Sequence, residues 1–243
     1  MRILITNDDG VGAKGLIPLI QWCRKLGEVT VFVPKYEQSG KSHGFEIRRS
    51  IEVKEIQLEP GLKVWTVDST PADCVRMAVL GFKKEFDLVI SGVNRGFNLG
   101  SDTMYSGTVG AASEGVNLGM KAIALSTPFD YYDDVGATAH LDRVFGFIQK
   151  HGLLDKHDFF NINIPEHPKG IRVTRQGGPY YSDDFLPTGE GDLYRPTGVP
   201  VWVDSRDDTL DTDATLHGYI SITPMTVNKT AQGAFEALVG FSE

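Results

Sequence analysis

Over the first two-thirds of the chain, short β-branched and apolar runs alternate with segments whose apolar positions return every three or four residues. Ile3-Leu4-Ile5 reads as a first strand, and Leu16 to Cys23 as a helix stopped by Gly27. Val29 to Val33 is a second strand, apolar almost throughout, as a strand covered on both faces must be. Lys63 to Val67 makes a third. Thr70-Pro71-Ala72-Asp73 opens another helix, with Thr70 as cap, Pro71 in first position and an acid in the first turn. Val75, Val79 and Phe82 mark its buried stripe. Leu88-Val89-Ile90, Ala122 to Leu125 and Phe160 to Ile164 are further strands. Leu141, Val144, Phe145 and Ile148 share one face of a helix between the last two.

Such alternation specifies a parallel sheet crossed by helices. The expected fold is α/β, a Rossmann-like, mostly parallel sheet with helices on both faces, over residues 1–170. Beyond Gly170 the character changes. Ile171-Arg172-Val173, Val199 to Val203 and Tyr219 to Ile222 are strand-like, but long Gly-, Pro- and Asp-rich stretches separate them. Ala234 to Val239 suits a short helix. Residues 171–243 are therefore expected to form a smaller β-rich appendage, the kind of excursion that acts as a lid or oligomerisation arm. The sequence contains no internal repeat and no low-complexity tract.

Hydrophobic residues make up 41% of the 243 and charged residues 23%, which excludes a disordered chain. The 24 basic residues are outnumbered by 32 acidic ones, for a net charge of −8. That argues against duplex nucleic acid as a partner. Small phosphorylated molecules stay open, because a bound cation reverses the local charge. No run approaches the ~20 apolar residues of a membrane span, so no membrane partner is expected. Cys23 and Cys74 lie in apolar, helix-like segments and read as buried free thiols. The opening apolar run is too short for a signal peptide, and a cytoplasmic location is expected.

Candidate chemistry begins where the first strand ends, at Asn7-Asp8-Asp9-Gly10. Ligands of open parallel sheets bind at the carboxyl ends of the strands. Two adjacent carboxylates there repel each other unless a positive charge accompanies them, and a hard cation such as Mg²⁺ or Mn²⁺ supplies one. The plainer alternative is a helix cap with a first-turn acid. The densest polar segment runs from Ser91-Gly92-Val93-Asn94 through Asn98 to Ser106-Gly107-Thr108. Asn94 and Asn98 offer neutral oxygens to a cation or amides to a substrate. Ser106, Gly107 and Thr108 open a Gly- and Ala-rich helix, and a helix start with unpaired N–H groups is a phosphate site.

Other motifs carry less. Gly10-Val11-Gly12-Ala13-Lys14-Gly15 matches the dinucleotide fingerprint formally, yet Pro34 and Lys35, not an acid, follow the second strand. The Glu37 to Gly44 loop lacks the register of a P-loop and, taken alone, is a loop whose small polar residues can approach the crevice of Asp8 and Asp9. The six histidines show no zinc spacing, and no G-x-S-x-G elbow is present. Gly10 stands where a haloacid dehalogenase-type phosphatase needs its second Asp.

Together these motifs resemble those of the SurE survival proteins. The matching pieces are Ile3 to Gly10, the Ser39 loop, Ser69 to Val75, Ser91 to Gly96, Asn98-Leu99-Gly100 and Tyr105 to Val109. Further along, Asn161 to Pro165, Thr174 to Gly177 and Gly218 to Pro224 also match. The resemblance implies one divalent cation per subunit, Mn²⁺ or Mg²⁺, held by Asp8, Asp9, Ser39 and Asn94, with Asn98 and Ser106-Gly107-Thr108 contacting phosphate. It implies hydrolysis of nucleoside 5′- or 3′-monophosphates, and in some members of short polyphosphate. It also implies a homodimer or homotetramer whose C-terminal arm is exchanged between subunits. Lys41-Ser42-His43 departs from the pattern and leaves substrate preference open.

The expected reaction is a single displacement, with Asp8 or Asp9 taking the proton of the attacking water. No residue stands out as the acid for the leaving alkoxide; His43, which reads more readily as a solvent-exposed histidine, is a weak candidate. A competing reading is a non-catalytic, metal-dependent nucleotide sensor using the same groups.

Overall fold

In the computed structural model, residues 1–131, 136 and 138–241 are described. The chain runs β1 (Arg2–Thr6), α1 (Leu16–Cys23), β2 (Glu28–Pro34), β3 (Val53–Glu59), β4 (Leu62–Val67) and α2 (Pro71–Arg76). There follow β5 (Leu88–Arg95), α3 (Gly107–Asn117), β6 (Lys121–Thr127), α4 (Leu141–His151), α5 (Leu153–Lys156) and β7 (Phe159–Asn163). The last third adds β8 (Gly170–Val173), β9 (Tyr181–Pro187), β10 (Tyr194–Pro200), α6 (Asp211–Leu216), β11 (Tyr219–Pro224) and α7 (Gln232–Leu238). Among the described residues, nine strands form one sheet in the order β3-β4-β2-β1-β5-β6-β7-β11-β8. The run from β4 to β7 is parallel, while β3 and β11 pair antiparallel with β4 and β7.

Side-chain alternation along the parallel strands sets the layers. Ile3 and Ile5 point to the face covered by α1 and α4, where Leu16, Leu19, Leu141 and Val144 are buried with them. Leu4 points to the other face, against Cys74, Val75, Val109 and Ala112 of α2 and α3. Helices thus cover both faces, as expected. Cys23 and Cys74 are free and buried, and burial pushes the Cys23 thiol up to about 12.

The second helix starts as its sequence dictates: Thr70 Oγ1 accepts the Asp73 N–H at 3.1 Å, and Pro71 needs no donor partner in first position. It ends sooner than its stripe suggests. After Arg76 it widens into a π turn over Met77–Gly81, leaving Val75 buried but Phe82 at the rim, against Phe32 and Trp65. Nor does Gly27 stop α1. It is glycine because a Cβ would fall 1.9 Å from the Met1 carbonyl oxygen.

The last third differs most from expectation. The pieces at 171–173 and 219–222 belong to β8 and β11 of the central sheet, so the sheet continues past residue 170. The strand expected at 199–203 is displaced to β10, which pairs with β9 in a separate exposed hairpin. Solvent-facing residues there carry no burial pattern to fix the register. β3 went unforeseen, although Pro60-Gly61, with Gly61 at φ +79°, makes a two-residue turn into β4. The C-terminal helix lies where expected.

Two buried acids of α6 tie the base of this excursion to the sheet. Asp211 accepts N–H bonds from Gly100 at 3.0 Å, Gly177 at 2.7 Å and Thr212 at 2.8 Å. Asp213 accepts from Trp202 Nε1 at 2.8 Å, Ser205 N at 3.1 Å and Asp207 N at 3.0 Å. Asp102 accepts from the N–H groups of Tyr180 at 3.0 Å and Tyr181 at 2.7 Å. Removing the Asp211 carboxylate strands three donors, two of them on other segments. Asp211→Ala is expected to lower stability by ~3 kcal/mol in denaturant unfolding, against less than ~0.5 kcal/mol for the exposed Asp192→Ala.

Candidate active site

The turn after β1 is built by Asn7, whose Nδ2 donates to the Gly10 carbonyl at 3.0 Å while its Oδ1 accepts the Gly10 N–H at 3.1 Å. Gly10 takes φ +83°, and a Cβ there would sit 3.0 Å from the Tyr36 backbone. The loop after β2 can therefore lie against it. Gln38 N–H donates to the Asp8 carbonyl at 2.7 Å, and Val11 N–H to Pro34 O at 3.0 Å.

Asp8 points inward, only 4% exposed. Its carboxylate accepts the Thr108 N–H at 3.2 Å and a short bond from the Thr108 hydroxyl. Gly107 makes this approach possible, since a Cβ there would fall 2.9 Å from the Asp8 Cβ. Burial is the largest influence on Asp8 and raises its pKa to about 6, Asp9 adding to the rise and the Thr108 hydroxyl opposing it. Ser106 caps α3, its Oγ accepting the Val109 N–H at 3.1 Å.

Asp9 is half-buried and accepts the Arg95 N–H at 3.3 Å. This is possible because β5 continues beyond Ile90, through the cis Gly92-Val93 peptide, to Arg95. Asn94 therefore sits on the end of a strand and not in a loop. Its Nδ2 donates to Gly96 O at 2.8 Å, a bond that does not use the Oδ1 acceptor. The Arg95 guanidinium stacks 3.6 Å from the Phe129 ring centroid.

Ser39 is exposed, and its hydroxyl donates to Glu37 at 2.7 Å. A hydroxyl that donates in this way keeps lone pairs for a cation. The turn after β1, the Gln38-Ser39 segment, the end of β5 and the start of α3 are thus laced together around Asp8 and Asp9. Asn98 stands apart from them, over β6 and β7. Its Nδ2 donates to Ser126 Oγ at 2.9 Å, its N–H to Asn163 Oδ1 at 2.9 Å, and its carbonyl accepts from Asn161 at 2.8 Å and Asn163 at 2.9 Å.

A sequence model of the Survival protein SurE family matches residues 3–183. The chain belongs to the SurE family. Relatives named 5′-nucleotidase SurE include that of Caldanaerobacter subterraneus, 35% identical over 97% of this chain and 95% of the relative. The Pseudothermotoga lettingae protein is 39% identical over 93% of this chain and 89% of its own, and that of Legionella pneumophila 36% identical over 98% and 96%. The crystal structure of the SurE protein from Aquifex aeolicus matches at 31% identity and a TM-score of 0.78, covering 98% of both chains. No helix among the described residues is long and apolar enough to cross a membrane.

Within this SurE-family chain, Asn161 and Asn163 were not foreseen as part of the site's frame. A signal existed: two fully buried amides at i and i+2 of an otherwise apolar strand need partners on one face. The dinucleotide fingerprint is formal only. Gly12 has open space where a Cβ would be, so no close approach demands it. The cavity it lines, about 700 Å³ with Lys14, Ile17 and Trp22, holds none of Asp8, Asp9, Ser39 or Asn94. A second cavity of about 650 Å³, walled by Ser42, His43, Ser106, Val109 and Gln176, lies beside the α3 start.

Does this donor set suit a cation? Among the described residues no three His, Cys, Asp or Glu side chains cluster as metal ligands. A cation here would rely on the two carboxylates plus the neutral oxygens of Ser39 and Asn94. That all-oxygen set fits Mg²⁺ or Mn²⁺ chemistry.

Asp8 also makes the metal-free protein pH-sensitive. Its carboxyl ionises near 3.8 unfolded and near 6 folded. A raised acid stabilises the fold below its unfolded value, and that contribution is lost as pH rises through about 6. The full shift corresponds to ~3 kcal/mol, reduced in the variant by weaker bonds to Thr108. In chelator-treated protein at pH 7.5, Asp8→Asn should raise stability by ~1–2 kcal/mol. The gap to wild type should close on acidification toward pH 4, as followed by chemical denaturation.

Proposed function

We propose that this chain is a divalent-cation-dependent 5′-nucleotidase, hydrolysing nucleoside monophosphates to nucleoside and phosphate. The observation that carries the reading is the burial of the Asp8 carboxylate against the start of α3, beside Asp9, at the carboxyl edge of a parallel sheet. Asp8, Asp9, Ser39 and Asn94 hold one Mn²⁺ or Mg²⁺ per subunit. When bound, the cation supplies Lewis acidity for the phosphoryl group and the attacking water.

The protein's own groups do the rest. Gly107, in the first turn of α3, has an N–H with no acceptor inside the helix, and it binds a phosphoryl oxygen together with the Ser106 hydroxyl. Thr108 contributes indirectly, since its two donors hold Asp8 in place. Asn98 turns its second amide hydrogen to the phosphate, the first being fixed on Ser126. Held in this way, the charge on the phosphoryl oxygens is stabilised as the transition state forms. Asp8 or Asp9 takes the water's proton. The cavity of about 650 Å³ beside Ser106 is of a size to take the nucleoside. Activity on 3′-monophosphates and short polyphosphate belongs to the same reading.

A homodimer or homotetramer is the proposed assembly, with the β9–β10 hairpin of the 171–243 stretch supplying the arm. Supporting this, the β9–β10 hairpin exposes Phe185 at 65%, Leu193 at 61% and Val199 at 60%. The proposed location is the cytoplasm.

Phosphate release from AMP, GMP, 3′-AMP and a generic phosphate ester, with Mn²⁺, with Mg²⁺ and with chelator, tests the function. Metal-dependent release from AMP is expected, lost by roughly 10²-fold or more in Asp8→Asn with the fold intact. No release under any condition would favour the nucleotide sensor, and full activity in Asp8→Asn would remove Asp8 from the chemistry.

A further inference from the structure

Glu114 lies on α3 with 5% exposure, and nothing in the hydrolysis uses it. A buried carboxylate needs partners. Its Oε2 meets His43 Nε2 at 2.7 Å and its Oε1 accepts from Arg76 Nη1 at 2.9 Å. Burial, the largest influence, pushes this carboxyl up, yet the bonds from His43 and Arg76 bring it net below its ordinary value. His43 belongs to the segment after β2 that carries Ser39, and Arg76 to the end of α2. One carboxylate therefore joins three elements.

The same segment is fastened at neighbouring points. Ser42 donates its N–H to Tyr105 O at 3.0 Å and its hydroxyl to Met104 O at 2.5 Å. The Phe45 ring lies 4.7 Å from the Arg76 guanidinium, and Glu46 N–H donates to Asp73 Oδ2 at 2.8 Å. Where the segment crosses α3 the helix presents Gly110, whose Cβ would fall 2.2 Å from Ser42 O and 2.9 Å from His43 Cα. Ser106, Gly110 and Glu114 follow at intervals of four residues, so one stripe of α3 carries the helix cap, the crossing point and the clamp. Upstream, Gln38 is bonded to the Asp8 carbonyl. Exposed Ser39 is thus suspended between two fixed points, Gln38 and Ser42.

We propose that Glu114 is a positioning residue: by holding His43 and Arg76, with Gly110 as the crossing point, it sets where Ser39 stands relative to Asp8 and so tunes cation affinity. This rests on Asp8, Asp9, Ser39 and Asn94 being the cation's ligands. A group that orients a ligand without touching the metal typically changes affinity 10- to 100-fold.

The experiment uses the full chain and two variants, the near-isosteric Glu114→Gln and the charge-preserving Gly110→Ala. Mn²⁺ binding is measured by calorimetry and backbone amide exchange by mass spectrometry. Both variants should bind Mn²⁺ about tenfold more weakly or worse, with faster exchange confined to residues 38–46. Saturating Mn²⁺ should restore most of kcat, with KM for AMP near wild type. Unchanged Mn²⁺ affinity, whether or not exchange rises, overturns the proposal, as does weaker binding without faster exchange, which in Glu114→Gln would mark a direct charge effect. A wild type that fails to bind Mn²⁺, or binds it no better than Asp8→Asn, sinks the cation assignment itself, and the proposal falls with it. That result is distinguishable from the others because it appears before either variant is compared.

Discussion

The placement of one carboxylate governs the arrangement of everything around it. Asp8 is driven into the crevice between β1 and the first turn of α3, where water cannot solvate its charge and Asp9 adds repulsion. Such a position is unfavourable unless the surroundings are built for it. Thr108 commits both its donors to Asp8, Gly107 gives up its side chain to let the helix approach, and Gly10 gives up its own to admit the loop after β2. The residual cost fits a fold that tolerates local instability where its chemistry lies. It also explains why β1 is central: only a middle strand has neighbours on both sides to deliver Gln38 from one flank and Arg95 from the other.

Much of this frame was legible in the residues, for physical reasons. Strands buried on both faces betray themselves as unbroken apolar runs, and the starts of α2 and α3 announce themselves through Thr70-Pro71 and Ser106. Elements lacking burial were harder. β10 was displaced from the expected 199–203 because no core face fixes it, and β3 is a charged edge strand in which only Val53, Ile56 and Leu58 turn partly inward. β8 and β11 read correctly as strands, but a sequence does not say which sheet a strand will join.

The site divides along similar lines. Asp8, Asp9 and the α3 start could be weighed from their position at strand and helix ends. Asn94 drew notice as a neutral oxygen in the dense polar stretch that follows an apolar strand, whereas Ser39 became a candidate ligand only through family resemblance, since a serine in a loop carries little signal of its own. Thr108, expected on the phosphate, donates to Asp8, a partnership one hundred residues apart in sequence that no local pattern reveals. Glu114 gave no sign at all, because its meaning depends on the segment that crosses its helix.

Asp102 has a consequence that concerns mechanics more than chemistry. Its carboxylate grips the first residues of the exposed hairpin, Tyr180 and Tyr181, and it sits four positions from Asn98. Asp211 grips Gly100 within the same short span. The hairpin is therefore joined by carboxylates at its base to the short span that holds Asn98. Any coupling between the hairpin and that span has these carboxylates as its direct route, and it acts with the same free energy in both directions.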